Sequence, residues 1–171
     1  MCRKEALMKN TRIRPIQADD NAATAAVIRQ VLTEYGLNRE GFAFVDTELD
    51  SLSENYRAPR AAYYVAEIEG RIMGGAGFGP LLGGDPETAE LKKMYLLPEA
   101  RGLGLGRALM DALLPLVKAG GYTRLYLETV PNMRDAIRLY EKYGFQPLDR
   151  PMGNTGHHGC QAFYARPIGS A

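Results

Sequence analysis

Six consecutive residues, Arg101-Gly102-Leu103-Gly104-Leu105-Gly106, have the types and spacing to hold an anion. Glycine has no side chain to fence off its backbone, so Gly104 and Gly106 let several successive N–H groups aim at one point. A strand-like run (91–97) precedes the turn and a helix-like run (105–117) follows it. That point therefore falls at a helix N-terminus, where unpaired N–H groups and the macrodipole favour negative charge. A phosphate or pyrophosphate is the natural guest. Arg101 adds a planar fork of donors suited to the same group. The familiar nucleotide motifs do not explain the turn. No Lys-Ser or Lys-Thr follows the glycines, as a P-loop requires, and position 109 is Leu where a dinucleotide fingerprint needs its third glycine.

The elements that must position this turn can be read from periodicity. Residues 11–16 form a first strand, with Pro15 marking an edge or an end. Asp19-Asp20 cap a helix over 21–35, with Ala22, Ala25, Ala26, Ile28, Val31 and Leu32 as its apolar face and Gly36 as its stop. Asp46 or Thr47 opens a second helix to about Tyr56. Residues 62–68 and 71–78 form a hairpin around Glu69-Gly70, in which Gly74, Gly75 and Gly77 imply close backbone approach. A strand over 90–97 leads through the glycine turn into a long helix, which Pro115 should kink or break near Asp111–Pro115. A strand over 124–130, a helix over 134–143, a further short strand near Pro147 and a last strand over 159–167 complete the order. This is a mixed α/β fold: a mostly antiparallel central sheet, helices on both faces and one βαβ crossover at 90–130. The turn then lies at the C-terminal end of a strand, where open α/β sheets bind ligands.

Composition narrows the function. The chain of 171 residues is 46% apolar and 24% charged, which suits one soluble domain over 11–168 with a loose tail over 1–10. Lys and Arg total 21 against 20 Asp and Glu, so no basic excess points to nucleic acid. Neither an 18-residue apolar run nor a signal-peptide core is present, and a reducing cytoplasm is the expectation, with no membrane partner. Two cysteines, Cys2 and Cys160, make no disulfide framework, and Cys, His and acidic residues show no metal-ligand spacing.

The run ELKKMYLLPE, the turn Arg101-x-x-Gly104-x-Gly106 and the later AIRLYEKYGF, in that order, resemble the GCN5-related N-acetyltransferase (GNAT) family. The resemblance is sharp over 90–147 and looser elsewhere. It implies that the turn, through Arg101, Gly102, Gly104 and Gly106, holds the pyrophosphate of acetyl-coenzyme A. It implies that the strands over 90–97 and 124–130 splay to admit the pantetheine arm, beside the backbone of Met94 and Leu96. Tyr140 matches a tyrosine near the coenzyme sulfur, where a phenol can protonate a departing thiolate; Tyr143, one turn on, reads as packing. Glu90 matches a glutamate that takes a proton from the acceptor amine, with Glu128 and then His157 or His158 as other candidates. An asparagine expected before the A-I-x-L-Y run is displaced, since Met133 stands there and Asn132 one position earlier.

The implied reaction is acetyl transfer from acetyl-coenzyme A to a small-molecule or peptide amine by direct attack, with no metal and no enzyme nucleophile. A free alkyl amine has a pKa of about 10.4, so neutralising it at pH 7 costs roughly 4–5 kcal/mol, which calls for a base and a desolvated pocket. The other reading is a non-catalytic acyl-coenzyme A sensor that keeps the pocket and not the turnover. Asp46, Glu48 and Asp50 offer charge to a cationic acceptor, or simply cap and solvate a helix. Homodimers are common in the family resembled, and the sequence leaves both acceptor and oligomeric state open.

Overall fold

The computed structural model describes residues 10–169, so the expected tail, apart from Asn10, and Cys2 lie outside the described residues. Seven strands form one sheet in the order β1-β2-β3-β4-β5-β7-β6. They are β1 (Thr11–Pro15), β2 (Ala62–Ile68), β3 (Arg71–Pro80), β4 (Thr88–Leu96), β5 (Arg124–Thr129), β6 (Gln146–Leu148) and β7 (Ala162–Pro167). Every neighbouring pair is antiparallel except β4 with β5. Four α-helices accompany them: α1 (Asn21–Glu34), α2 (Leu52–Asn55), α3 (Leu105–Ala119) and α4 (Arg134–Lys142).

The hairpin glycines show why the strands sit so close. A Cβ on Gly74 would come within 2.4 Å of Leu96 Cδ2, and one on Gly77 within 2.5 Å of the Tyr63 ring. Their faces differ. Gly75 and Gly77 look at Tyr63 and Tyr56, whereas Phe78 meets Tyr122, just past α3, edge to face. α1 packs on β3 and β4, and α3 packs on β2 and β3. Helices thus cover both faces, and Val65, Ala76, Ala89, Leu109 and Met110 are sealed between them.

Local departures from the sequence reading have physical causes. α3 runs unbroken through Pro115. The buried stripe of Leu105, Leu109, Met110, Leu113 and Val117 holds both of its ends on the sheet, which outweighs one missing backbone hydrogen bond. Asp20 does not cap α1 with its side chain. Its carboxylate takes Arg14, at 2.6 Å, and the Gln17 N–H instead. Ala25, Ile28, Val31 and Leu32 of the expected α1 face are buried, but Thr24 and Val27 join them while Ala22 and Ala26 lie outside. The second helix shrinks to a 3-10 turn (Thr47–Ser51) and the single turn of α2. β7 begins at Ala162, and 149–161 is irregular.

Candidate active site

β4 and β5 pair only at Thr88–Arg124, Ala89–Leu125 and Glu90–Tyr126. Beyond Glu90 they part, although β4 runs on to Leu96 and β5 to Thr129. Among the described residues, the parting leaves 91–96 without a strand partner on the β5 side. A second irregularity lies on the β3 side. Gly75 faces Tyr95 and Gly77 faces Lys92, so Ala76 alone opposes both Lys93 and Met94. This is a β-bulge, which sharpens the local bend. Lys93 takes the left-handed conformation, φ +51°, where glycine is the usual occupant. The Tyr63 hydroxyl holds it there by donating to the Lys93 carbonyl at 2.9 Å.

Two cavities open from the parting. The outer one is a groove lined by Met94, Tyr95, Leu96, the 101–108 segment, Met133 and Tyr140. Gly102 and Gly104 adopt left-handed φ values of +71° and +86°, and nothing lies within 4 Å of where their Cβ atoms would be. Gly104 is the N-cap of α3, so the donors of the first turn face the groove without side chains over them. Gly106 is needed for packing as well, since a Cβ there would stand 3.0 Å from Leu139. Arg101 is held in an unexpected way. Its Nε donates to the Leu96 carbonyl at 3.1 Å and its two Nη atoms grip Glu34 at 2.7 Å each, with the Tyr35 ring 5.7 Å away. Its fork already carries an anion, and that anion is a carboxylate of α1.

The inner cavity is lined by Glu90, Lys92, Tyr140, His157, Cys160 and an apolar wall including Leu37, Phe42 and Val130. Glu90 is 3% exposed and, among the described residues, its carboxylate has no hydrogen-bond partner. Burial pushes it up to about 7, with Glu128 adding to the rise and Lys92, His157 and Lys93 opposing it. Glu128 is different in kind. One of its oxygens accepts from the Tyr126 hydroxyl and the other from Thr155, each at 2.8 Å. Tyr140 lines both cavities, and its hydroxyl has no partner among the described residues. Burial lifts its phenol above the ordinary value, so it enters any reaction protonated. Tyr143 faces away, donating to Asp111 and to the Arg107 carbonyl. Burial, with Glu128 and Glu90, pushes the Cys160 thiol up to about 12. A thiol so rarely ionised is a poor nucleophile at neutral pH.

The structure adds residues that the sequence reading left as bland. Asp46 and Glu48 are not a solvated face. Both hold the ammonium of Lys93, whose side chain is 1% exposed; Asp46 does so at 2.7 Å. Asp46 also accepts from His157 Nε2 at 3.1 Å. Only Asp50 of the three stays on the surface, paired with Arg29. His158 and Asn132 line neither cavity. No signal in the sequence joins position 93 to 46 and 157, because a left-handed lysine leaves no glycine to mark the bulge. Among the described residues no group of three or more His, Cys, Asp or Glu is arranged to hold a metal ion, and no helix is long and apolar enough to cross a membrane.

The sequence profile of the Acetyltransferase (GNAT) family matches residues 26–145. YjgM of Escherichia coli K12, named an uncharacterized N-acetyltransferase, is 41% identical over 157 residues, which cover 91% of this chain and 94% of that one. A GNAT-family acetyltransferase of Staphylococcus aureus Mu50 superposes with a TM-score of 0.82 at 21% identity, over 93% of this chain and 99% of that one. Salmonella typhimurium yncA, solved with its cofactor acetyl-CoA, does so with a TM-score of 0.75 at 21% identity, over 95% and 96%. The chain belongs to the GNAT acetyltransferase family and is an N-acetyltransferase.

Proposed function

We propose that this enzyme moves an acetyl group from acetyl-coenzyme A to an amine by direct attack, with both substrates bound together. The observation that carries the reading is Glu90: a buried carboxylate with no hydrogen-bond partner among the described residues, shifted by burial and by through-space charges alone, placed where β4 and β5 part. The groove fits the coenzyme's chemistry. Unfenced donors at the start of α3 suit a pyrophosphate, and Arg101 stands ready to exchange Glu34 for a phosphate. The edge of β4 beyond Glu90 offers backbone partners to amide groups at Met94, and at Leu96 once Arg101 releases its carbonyl. Acetyl-coenzyme A, when bound, supplies the activated acyl carbon.

The chain's own groups do the proton work. Glu90, poised near neutral pH, takes the proton that an ammonium must lose before its nitrogen can attack. Tyr140 offers its hydroxyl proton from the point where the two cavities meet. Leu37, Phe42 and Val130 keep water away, so the amine loses part of its preference for the charged form. Cys160 stays a thiol, which supports transfer without an acyl-enzyme.

The deciding experiment follows thiol release across an amine panel and compares the wild type with Glu90→Gln from pH 6 to 9. The wild-type rate should climb through about pH 7, and the variant should lack that limb. Identical profiles would remove Glu90 from the mechanism. Tight coenzyme binding without thiol release from any amine would turn the reading toward a sensor.

A further inference from the structure

We infer that the acceptor is a small free amine, received in a closed chamber, and not an amine carried on a peptide or protein. This rests on the acetyl-transfer reading above and concerns the other substrate.

Much of the inner cavity's wall is nearly inaccessible, while Lys92, Met94, Tyr95, Glu128, His157 and Cys160 are half-buried. Glu90 is 3% exposed, Phe42 5%, Leu37 7% and Val130 7%. Two irregular segments close it, 37–51 before α2 and 149–161 before β7, and both are fastened down. The first fastening is a chain of charges. Lys93, buried on the bulge, holds Asp46 and Glu48, and Asp46 holds His157 of the second segment. The second fastening is Glu128 of β5. It accepts from the Thr155 hydroxyl, which in turn accepts from the His157 N–H at 3.2 Å. Backbone bonds add to both. Met152 N–H donates to the Tyr126 hydroxyl at 3.1 Å, Asn154 N–H to Leu82 O at 2.7 Å and Gly159 N–H to Gly41 O at 3.0 Å.

The packing is as tight as the bonding. A Cβ on Gly153 would stand 2.4 Å from the Leu82 carbonyl, and one on Gly159 2.5 Å from the Phe42 ring. At those two glycines there is no room for a side chain between the segment and its neighbours. Moving 37–51 aside would leave Lys93 buried without Asp46 and Glu48, an arrangement that is strongly destabilising. A peptide acceptor needs an open trench for the residues flanking its amine, and beside the inner cavity 37–51 and 149–161 are instead tied to each other through Asp46 and His157. Thr155 and Asp46 are thus positioning residues that decide what reaches Glu90.

The test uses bisubstrate conjugates, which work whatever the natural acceptor is. Coenzyme A is joined through an acetyl bridge to propylamine, to the N-terminal amine of a hexapeptide, or to a lysine side chain of that peptide. Calorimetry on the full chain compares the three with coenzyme A alone. The propylamine conjugate should bind at least about tenfold tighter than either peptide conjugate. Equal or tighter binding of a peptide conjugate overturns the inference, whereas failure of every coenzyme compound to bind overturns the acetyl-transfer reading beneath it. Thr155→Val and Asp46→Asn should each shrink the preference to within about threefold, with affinity for coenzyme A unchanged. Should Asp46→Asn not fold, Thr155→Val and Gly159→Ala, both read by the same ratio, decide the matter. A preference unmoved by any of them removes the fastenings from acceptor choice.

Discussion

The groove and the inner chamber share Tyr140 and the β4 backbone, yet they are built on opposite principles. The groove is made of things left out: glycines without side chains, a strand edge without a partner, N–H groups without acceptors. The chamber is made of things brought together across the chain, such as Lys93 with Asp46 and Glu48, or Glu128 with Thr155. A site made by omission can receive a large polar guest that supplies the missing partners itself. A site made by enclosure must recognise a small guest through shape and one reactive group. On the proposed reading catalysis belongs to the chamber and affinity to the groove, and each half can be broken separately.

The largest effect belongs to the chamber. Glu90→Gln should lower turnover by roughly a hundredfold or more at pH 7 while coenzyme affinity stays within about twofold. The same variant has a thermodynamic signature. Because Glu90 titrates higher folded than unfolded, its contribution is fully present below the unfolded value and lost as pH rises through about 7. Glu90→Gln should therefore melt higher than the wild type at pH 8 and close to it at pH 4. Equal melting at both would show that Glu90 is not buried in solution.

Tyr140→Phe comes next, at the junction. Turnover should fall by roughly tens-fold. The melting temperature should hardly move, since the lost hydroxyl has no partner in the fold. A collapse in melting temperature would mean that the hydroxyl serves the core.

In the groove, Gly106→Val should weaken acetyl-coenzyme A binding by about tenfold or more, by filling the space toward Leu139 and Met94. Circular dichroism checks the fold, and unchanged affinity would move the pyrophosphate elsewhere. Glu34→Gln should have a smaller effect of opposite sign. It frees the fork of Arg101, so coenzyme binding should tighten by about two- to fivefold and depend more steeply on salt. Weaker binding would make the Arg101–Glu34 pair a strut of the groove instead.

Acid should give the smallest and most selective effect. Burial alone would raise the carboxyl of Asp46, but His157 and Lys93 outweigh it and hold it below its ordinary value; Glu48 is likewise lowered by Lys93 and Lys92. The stability these groups add is present above their unfolded values and is lost as pH falls through the lower folded ones. Exchange protection in 149–161 should therefore fade below about pH 4 before it fades in β2 and β3.

The same contrast explains what the sequence could tell. The groove was legible because its parts are contiguous: a strand, a glycine turn and a helix start within 88–106, and Tyr140 in an uninterrupted helical run. The succession of strands along the chain and the mixed α/β class followed from periodicity, and Pro15 does lie on an edge strand, but the placing of β7 between β5 and β6 was not read from the sequence. The chamber was not legible because its contacts join residues 46, 93, 128 and 157, which carry no shared spacing. Asp46 looked like a helix cap because caps and buried counter-ions use the same residue, and only the left-handed turn at Lys93 decides between them. Arg101 looked free because its partner, Glu34, sits 67 residues away. Pro115 misled in the other direction: a local rule was overruled by the apolar stripe on either side of it.

The parting of β4 and β5 also makes this a sheet with an edge in its interior. Such an edge normally invites another strand, and an uncovered one is a route to aggregation. A guest that pairs with 91–96 would mend the ladder from within, as a temporary eighth member of the sheet. Folding and substrate supply are then linked: at about a hundred times its dissociation constant, a ligand of the native state adds roughly 2.7 kcal/mol to stability. If acetyl-coenzyme A is that guest, as proposed, its supply would tune the stability of the chain as well as its turnover.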